Sequence, residues 1–298
     1  MPSNPSNPQG RPRPAAAADD APAVLITGCS SGIGRATALA AVRAGLPTWA
    51  AVRRPEEPTL GELAAAGCRI LRLDVIDEQS RLEAVRAVEE EHGAVGALVN
   101  NAGYSQIGPV EEVPLSDLRR QFETNVFGLV RLSQLVLPGM RARGRGTIVN
   151  LGSAAGLVVP PASGAYSMTK YALEALCDAL RLEVARHGIR VVLVEPGAVR
   201  SDFMTTGWAT MPTVVAAGNP YEGYKANLAA MVERTHRPGA RGILDADDVA
   251  RVVVKAVLSR RPKTRYPIGS QARLAPIARR LAGDRLWDRL MDAVVSAD

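Results

Sequence analysis

Val24-Leu25-Ile26-Thr27-Gly28-Cys29-Ser30-Ser31-Gly32-Ile33-Gly34 is the stretch that decides the fold. Val24, Leu25 and Ile26 form a short apolar run that reads as a buried strand, and Arg35 to Ala44 reads as a helix. Between them lies a glycine turn. Glycine lets the backbone approach a pyrophosphate closely, and the first turn of the following helix offers unpaired amides and a partial positive charge. The spacing Gly28-x-x-x-Gly32-x-Gly34 departs from the commoner Gly-x-Gly-x-x-Gly, and tight turns need glycine in any case. Alone, the turn leaves nucleotide binding and a plain loop equally open.

The rest of the chain repeats this strand-then-helix unit. Strands are expected near 23–27, 47–52, 69–73, 96–100, 146–151, 189–194 and 264–268, with helices near 33–44, 59–66, 78–91, 115–139, 164–187 and 246–258. Such alternation is the pattern of an α/β, doubly wound parallel sheet (Rossmann fold) in a single domain. Ligands in these sheets bind beyond the carboxyl ends of the strands. Gly28, Arg53, Asp74, Asn101, Ser153 and Pro196 each follow an expected strand and therefore converge on one edge.

Tyr166-Ser167-Met168-Thr169-Lys170 supplies the chemistry. Positions i and i+4 share a helix face, so a phenol and an ammonium can serve one pocket. A fixed cation favours the phenolate and lowers a tyrosine's pKa from about 10 toward working pH, which suits proton exchange with an alcohol or carbonyl oxygen. An isolated pair of this kind is common by chance. Tyr171 is the internal control: Ala175 stands four residues beyond it, so it reads as packing.

Thr27-Gly28-x-x-x-Gly32-Ile33-Gly34, Asp74-Val75, Asn100-Asn101-Ala102-Gly103, Asn125, Ser153, Tyr166-x-x-x-Lys170 and Pro196-Gly197 occur in this order. In these motifs, over residues 22 to 270, the chain resembles the short-chain dehydrogenase/reductases in their single-domain form. The resemblance implies an oxidoreductase that moves a hydride between a nicotinamide and a carbonyl or secondary alcohol. It implies catalytic roles for Asn125, Ser153, Tyr166 and Lys170. Tyr166 would be the acid/base, Ser153 would hold the substrate oxygen, and Lys170 would tune Tyr166 and grip the nicotinamide ribose. Asn125 would anchor a relay water through a locally distorted helix. It further implies that Thr27, Gly28, Ser30, Ser31, Gly32, Ile33 and Gly34 cradle the dinucleotide, with Asp74 and Val75 at the adenine. Asn101, Ala102 and Gly103 would line it, and Pro196, Gly197, Val199 and Ser201 would meet the carboxamide end. Ser201 stands where the family often has Thr, and the hydroxyl survives. A non-catalytic dinucleotide sensor is the rival reading, but such relatives typically lose the tyrosine or lysine.

Cofactor choice reads from the second strand. It ends in Arg53-Arg54-Pro55, with no acid before Glu56. An acid there would repel a 2′-phosphate, whereas guanidinium groups pair with it, so NADP (NADPH) is favoured over NAD, the alternative. The competing reading of Arg53 is a solvated turn residue, and of Asp74 a turn or cap residue. Substrate specificity is expected from a loop insertion at about 200–237 and the loops after Gly103 and Ser153. Leu157, Val158, Val159, Pro160, Phe203, Met204, Trp208 and Met211 suit an apolar ketone or alcohol. Arg200 and Lys225 are the cations that leave a charged substrate open.

Composition sets the remaining bounds. The 298 residues are 47% hydrophobic and 22% charged, ordinary for a globular protein. No apolar run approaches the roughly 18 residues of a membrane span. Residues 1–22 read as a disordered tail without a secretory core, and the 3 cysteines show no metal spacing, so a cytoplasmic enzyme without a metal is expected. Cys29 reads as turn filler. Residues 271–298 read as an amphipathic basic helix with Leu274, Ile277, Leu281, Leu286, Leu290 and Val294 among arginines. A helix docked on its own domain or a symmetry mate is favoured over one lying on an anionic membrane surface. The net charge of +6 comes without a stacking aromatic series, which argues against nucleic acid. A homodimer or homotetramer through the helices near 115–139 and 164–187 is expected from family habit, with Ala172, Ala175 and Ala179 permitting close approach.

Overall fold

Each expected strand forms: β1 (Val24–Thr27), β2 (Thr48–Val52), β3 (Arg69–Arg72), β4 (Ala97–Asn100), β5 (Gly146–Leu151), β6 (Ile189–Pro196) and β9 (Arg265–Ile268). They pair in parallel as one 7-stranded sheet in the order β3-β2-β1-β4-β5-β6-β9. A separate short pair, β7 (Val199–Arg200) with β8 (Leu244–Asp245), follows the Pro196-Gly197 turn. This computed structural model describes residues 21–57, 60–200, 202–212, 218–235 and 242–296. The expected tail, all but Ala21 and Pro22, and Ser201 lie outside the described residues.

The helices are α1 (Gly32–Arg43), α2 (Gly61–Ala65), α3 (Glu78–His92), α4 (Leu115–Phe122), α5 (Gly128–Ala142), α6 (Gly164–Val184), α7 (Asp202–Trp208), α8 (Glu222–Thr235), α9 (Ala246–Leu258) and α10 (Gly269–Ser296). They cover both sheet faces. Strand side chains alternate, so Val24 and Ile26 enter one layer with Ala38 of α1 and Val253 of α9. Leu25 enters the other with Val88 of α3, Leu132 of α5 and Leu180 of α6. With both faces covered, β1, β2, β4 and β5 are buried at every position, which is why they read as unbroken apolar runs.

The helix expected over 115–139 is instead three segments. Between α4 and α5, Glu123–Phe127 form a π turn, closed by the Gly128 amide donating to the Glu123 carbonyl. The wider i to i+5 ring inserts a residue into the helix without ending it. Helices α7 and α8 occupy the insertion, which sequence periodicity did not separate from loop.

β1 neighbours both β2 and β4, so chain order reverses there and the crevice opens at the ends of these strands. Side chains from both strands fasten it. Thr27 Oγ1 accepts the backbone amides of Asn101 (3.0 Å) and Ala102 (2.9 Å). Asn101 Nδ2 in return donates to the carbonyls of Thr27 (2.9 Å) and Gly28 (3.1 Å). Thr27→Val keeps shape but strips both amides of their acceptor. It should cost about 2–4 kcal/mol in denaturant unfolding, while Thr27→Ser stays close to the parent; equal midpoints for the two variants would show that the knot carries no stability.

Candidate active site

The glycine turn packs too tightly for any side chain. Gly28 sits at φ +72°, and a Cβ there would fall 2.9 Å from the Ala102 Cα. A Cβ on Gly34 would overlap the Gly28 carbonyl. α1 therefore starts against the sheet edge. Ser31, its N-cap, makes no side-chain cap, and the first turn holds no acid. Its leading amides are thus left for an anion, which is what a dinucleotide pyrophosphate requires. Ser30 and Ser31 are exposed at this mouth, and Ile33 is partly buried beside it.

The adenosine end is more mixed. Arg53 and Arg54 follow β2 in the open, with Arg54 Nε 2.7 Å from Glu57 and its side chain 71% exposed. Asp74 Oδ1 accepts the Ile76 amide (3.2 Å) and its own amide donates to Ser80 Oγ (2.9 Å), so Asp74 serves the turn, beside any role at an adenine. Val75 is buried. Asp77, not Asp74, caps α3. At the other end, the Gly197 amide donates to Ile268 (2.9 Å) and the Ala198 amide to Gln271 Oε1 (2.9 Å), fixing the Pro196-Gly197 turn, with Val199 partly buried after it.

Ser153, Tyr166, Lys170 and Asn125 come together at this edge. Ser153 follows β5 and caps a short 3-10 turn, its Oγ accepting the Ala155 amide at 3.1 Å. Against the larger effect of burial, Ser153 also pulls the Tyr166 pKa downward. Phe203 covers the Tyr166 ring edge-on, centroids 5.6 Å apart. Lys170 is buried, its Nζ donating to the Leu151 carbonyl (2.6 Å) and lying 5.6 Å from the Tyr166 ring centroid. Asn125 sits in the π turn. Its Oδ1 accepts the Tyr104 amide (3.1 Å), and its Nδ2 donates to the Tyr104 carbonyl (2.9 Å) and to Thr169 Oγ1 (3.2 Å).

One expectation is corrected. Burial pushes Tyr166 up to about 12, against the lowering pull of Ser153, and burial also draws Lys170 down to about 8. The ammonium is spent on the Leu151 carbonyl, and desolvation of the phenol dominates. Tyr166 here is a proton holder at neutral pH.

Residues 22–211 match the short chain dehydrogenase family. The chain belongs to the short-chain dehydrogenase/reductase family. It is 32% identical to an NADPH-dependent 3-dehydrocapnine reductase of Ornithobacterium rhinotracheale, over 89% of this chain and 94% of that protein. A short-chain dehydrogenase from Streptomyces avermitilis superposes with a TM-score of 0.74 at 34% identity, covering 92% of this chain and 97% of the other. An alcohol dehydrogenase from the archaeon Thermococcus sibiricus, complexed with 5-hydroxy-NADP, gives 0.66 at 26% identity over 84% and 97%.

In this short-chain dehydrogenase, residues that spacing did not reveal also hold the candidate site together. Thr169 takes Asn125 Nδ2 and donates to the Tyr166 carbonyl (2.7 Å), linking the π turn to α6. Its hydroxyl one position before Lys170 was the available signal. Gln271 lies far along the chain from the turn it holds, and nothing local marks it. Lys225 and Arg200 are committed elsewhere: Lys225 is buried, paired with Glu112 and donating to Pro212 (3.1 Å), and Arg200 Nε lies 3.4 Å from Asp245. Val158 is buried, Trp208 and Met211 are partly buried, and Val159 and Pro160 line an outer groove of about 550 Å³ with Tyr221 and Tyr224. Cys29 is buried, donates to the Ile26 carbonyl (3.1 Å) and has its thiol driven upward by burial, consistent with turn filler. Among the described residues, no cluster of His, Cys, Asp or Glu could hold a metal.

Behind Lys170, the dehydrogenase buries a carboxylate group. Arg265 of β9 donates to Glu174 (2.8 Å) and Asp178 (2.8 Å), and lies 3.9 Å from buried Glu195. Arg265 and Arg181 hold Asp178 down to about 2. Burial, then the facing Glu174, raises Glu195 well above the usual carboxylate range. Between the ordinary carboxylate pKa and its own raised one, Glu195 holds a proton in the folded state that the unfolded chain has lost, so its contribution to stability falls as pH climbs through that window. Glu195→Gln should raise the thermal midpoint more at about pH 8 than at about pH 5; a gain independent of pH would mean that Glu195 is ionised throughout.

Proposed function

We propose that this dehydrogenase/reductase is NADP(H)-dependent and acts on a carbonyl or secondary alcohol of a lipophilic substrate, with Tyr166 as general acid/base. The observation that carries the reading is buried Lys170, its Nζ on the Leu151 carbonyl two residues before Ser153 and 5.6 Å from the Tyr166 ring, beside an α1 without a side-chain cap. A bound nicotinamide would supply or accept the hydride. Everything else falls to this chain. The amides opening α1, between Gly28 and Gly34, would hold the pyrophosphate, and Arg53 and Arg54, exposed after β2, would take a 2′-phosphate. The NADPH-dependent relative supports that preference.

Two hydroxyls reach for one substrate oxygen. Ser153 would orient it, and Tyr166, protonated at neutral pH, would donate to it in reduction or receive its proton in oxidation. Lys170, brought to about 8, is placed to hold the nicotinamide ribose and to pass a proton on, with Asn125 fixing the π turn alongside. Apolar substrate chemistry is supported by Phe203 at the tyrosine edge and by the pairing of buried Lys225 with Glu112. A homo-oligomer is proposed through α6, whose Leu182 (79% exposed), Ala175 and Ala179 face outward. The three thiols, free and buried, suit a cytoplasmic setting.

Lipophilic ketones and secondary alcohols assayed with NADPH or NADP should show turnover that Tyr166→Phe lowers by about a hundredfold or more while nucleotide binding, followed by fluorescence, persists. Full turnover by that variant would sink the mechanism. Replacing Arg53 and Arg54 with Ala should cut the NADPH-over-NADH preference about tenfold or more; an unchanged ratio would assign the preference to other residues.

A further inference from the structure

The outer side of α10 is built the wrong way round for a helix that serves only its own domain. Gly283, at φ 69° and ψ 167°, divides α10 into two helical halves. In the first, the inward positions are small: Ala272 is buried, and Ala275 and Ala282 partly so. The large residues face out. Leu274, Ile277 and Leu281 form one stripe at helical spacing, Leu281 being 83% exposed. In the second half, Trp287, Met291 and Val295 close over the groove beside Tyr221 and Tyr224, yet Leu286, Leu290 and Val294 stay exposed. Among the described residues nothing covers either stripe.

Charge decides the partner. Exposed Arg273 and Arg280 border the first stripe, and exposed Arg285 and Arg289 border the second. The acids of this helix stand off the leucine stripes: Asp288 and Asp292 line the groove, and exposed Asp284 lies 3.7 Å from Arg279. A second copy packed on these stripes across a two-fold axis would set arginine against arginine, with the aspartates of the helix off the stripes. An anionic lipid surface satisfies both parts, with headgroup phosphates for the guanidinium groups and acyl chains for the leucines. Among the described residues no helix is long and apolar enough to cross a membrane. We infer that α10 docks the protein onto the surface of an anionic membrane, lying in the interface with its arginines at headgroup level. Arg279, donating to Tyr171 Oη at 3.1 Å, ties this platform to α6.

The full chain is tested by co-sedimentation with vesicles of equimolar phosphatidylcholine and phosphatidylglycerol, and with phosphatidylcholine alone. Binding is expected on the mixed vesicles and should weaken with salt. Ile277→Glu with Leu281→Glu, both at exposed positions, should lower the vesicle-bound fraction about tenfold or more. Arg273→Gln with Arg280→Gln should lower it roughly fivefold per charge. Light scattering and circular dichroism should find mass and helicity of both variants unchanged. The inference fails if the parent does not pellet above a vesicle-free control, or if the glutamate variant pellets as well as the parent. It also fails if the glutamate pair reduces the oligomeric mass, which would assign the stripes to a second copy.

Discussion

The reciprocal hydrogen bonds between Thr27 and the Asn101-Ala102 segment are the constraint on which the rest depends. They close the gap between β1 and β4 at the point where the sheet changes direction. With that gap closed, Gly28 meets the Ala102 backbone, Gly34 meets Gly28, and α1 begins against the sheet with its amides directed outward. A side chain usually credited with touching a ligand is here first a fastener of the cradle. Asn101 has its side-chain amide directed to the carbonyls of Thr27 and Gly28.

A second network stiffens the floor beneath the tyrosine. Asn100 Nδ2 donates to Asn150 Oδ1 (2.9 Å), and Asn150 Nδ2 to Cys177 (3.0 Å), crossing from β4 through β5 to α6. Beyond it stand Glu174, Asp178 and Arg265. Side-chain networks of this sort stiffen the elements they join, although Asn100 Oδ1 and Glu174 Oε1 at the ends of this one have no hydrogen-bond partner among the described residues. α6 is thus held at its middle as well as at Tyr166, and Lys170 has little freedom to leave the Leu151 carbonyl.

The strands were legible because two-sided burial writes them as continuous apolar runs, and the site was legible because its members lie at strand ends or one helical turn apart. Asp74 illustrates the limit: a turn acid and a ligand acid look alike in sequence, and its carboxylate does accept a turn amide. The Tyr166 and Lys170 spacing announces proximity but not desolvation, so the direction of the tyrosine shift was misread. Helices α7 and α8 escaped because their amphipathic signal is weak against the loops around them. The leucines of α10 show helical periodicity plainly, but periodicity is silent on which side of a helix meets the protein.

The π turn has a geometric consequence beyond the placing of Asn125. One inserted residue advances every later side chain by about 100° around the helix axis. The buried row of α5, Leu129, Leu132, Val136 and Met140, meets the sheet only because that advance has been made. α4, upstream, buries Gln121 in the frame before it. The two helices therefore run in different rotational frames, and removing a single residue from Glu123–Phe127 would regularise the helix while turning the whole of α5's apolar row away from the sheet. The length of this short segment is thus fixed by packing along the helix downstream of the catalytic edge as well as by the asparagine it carries.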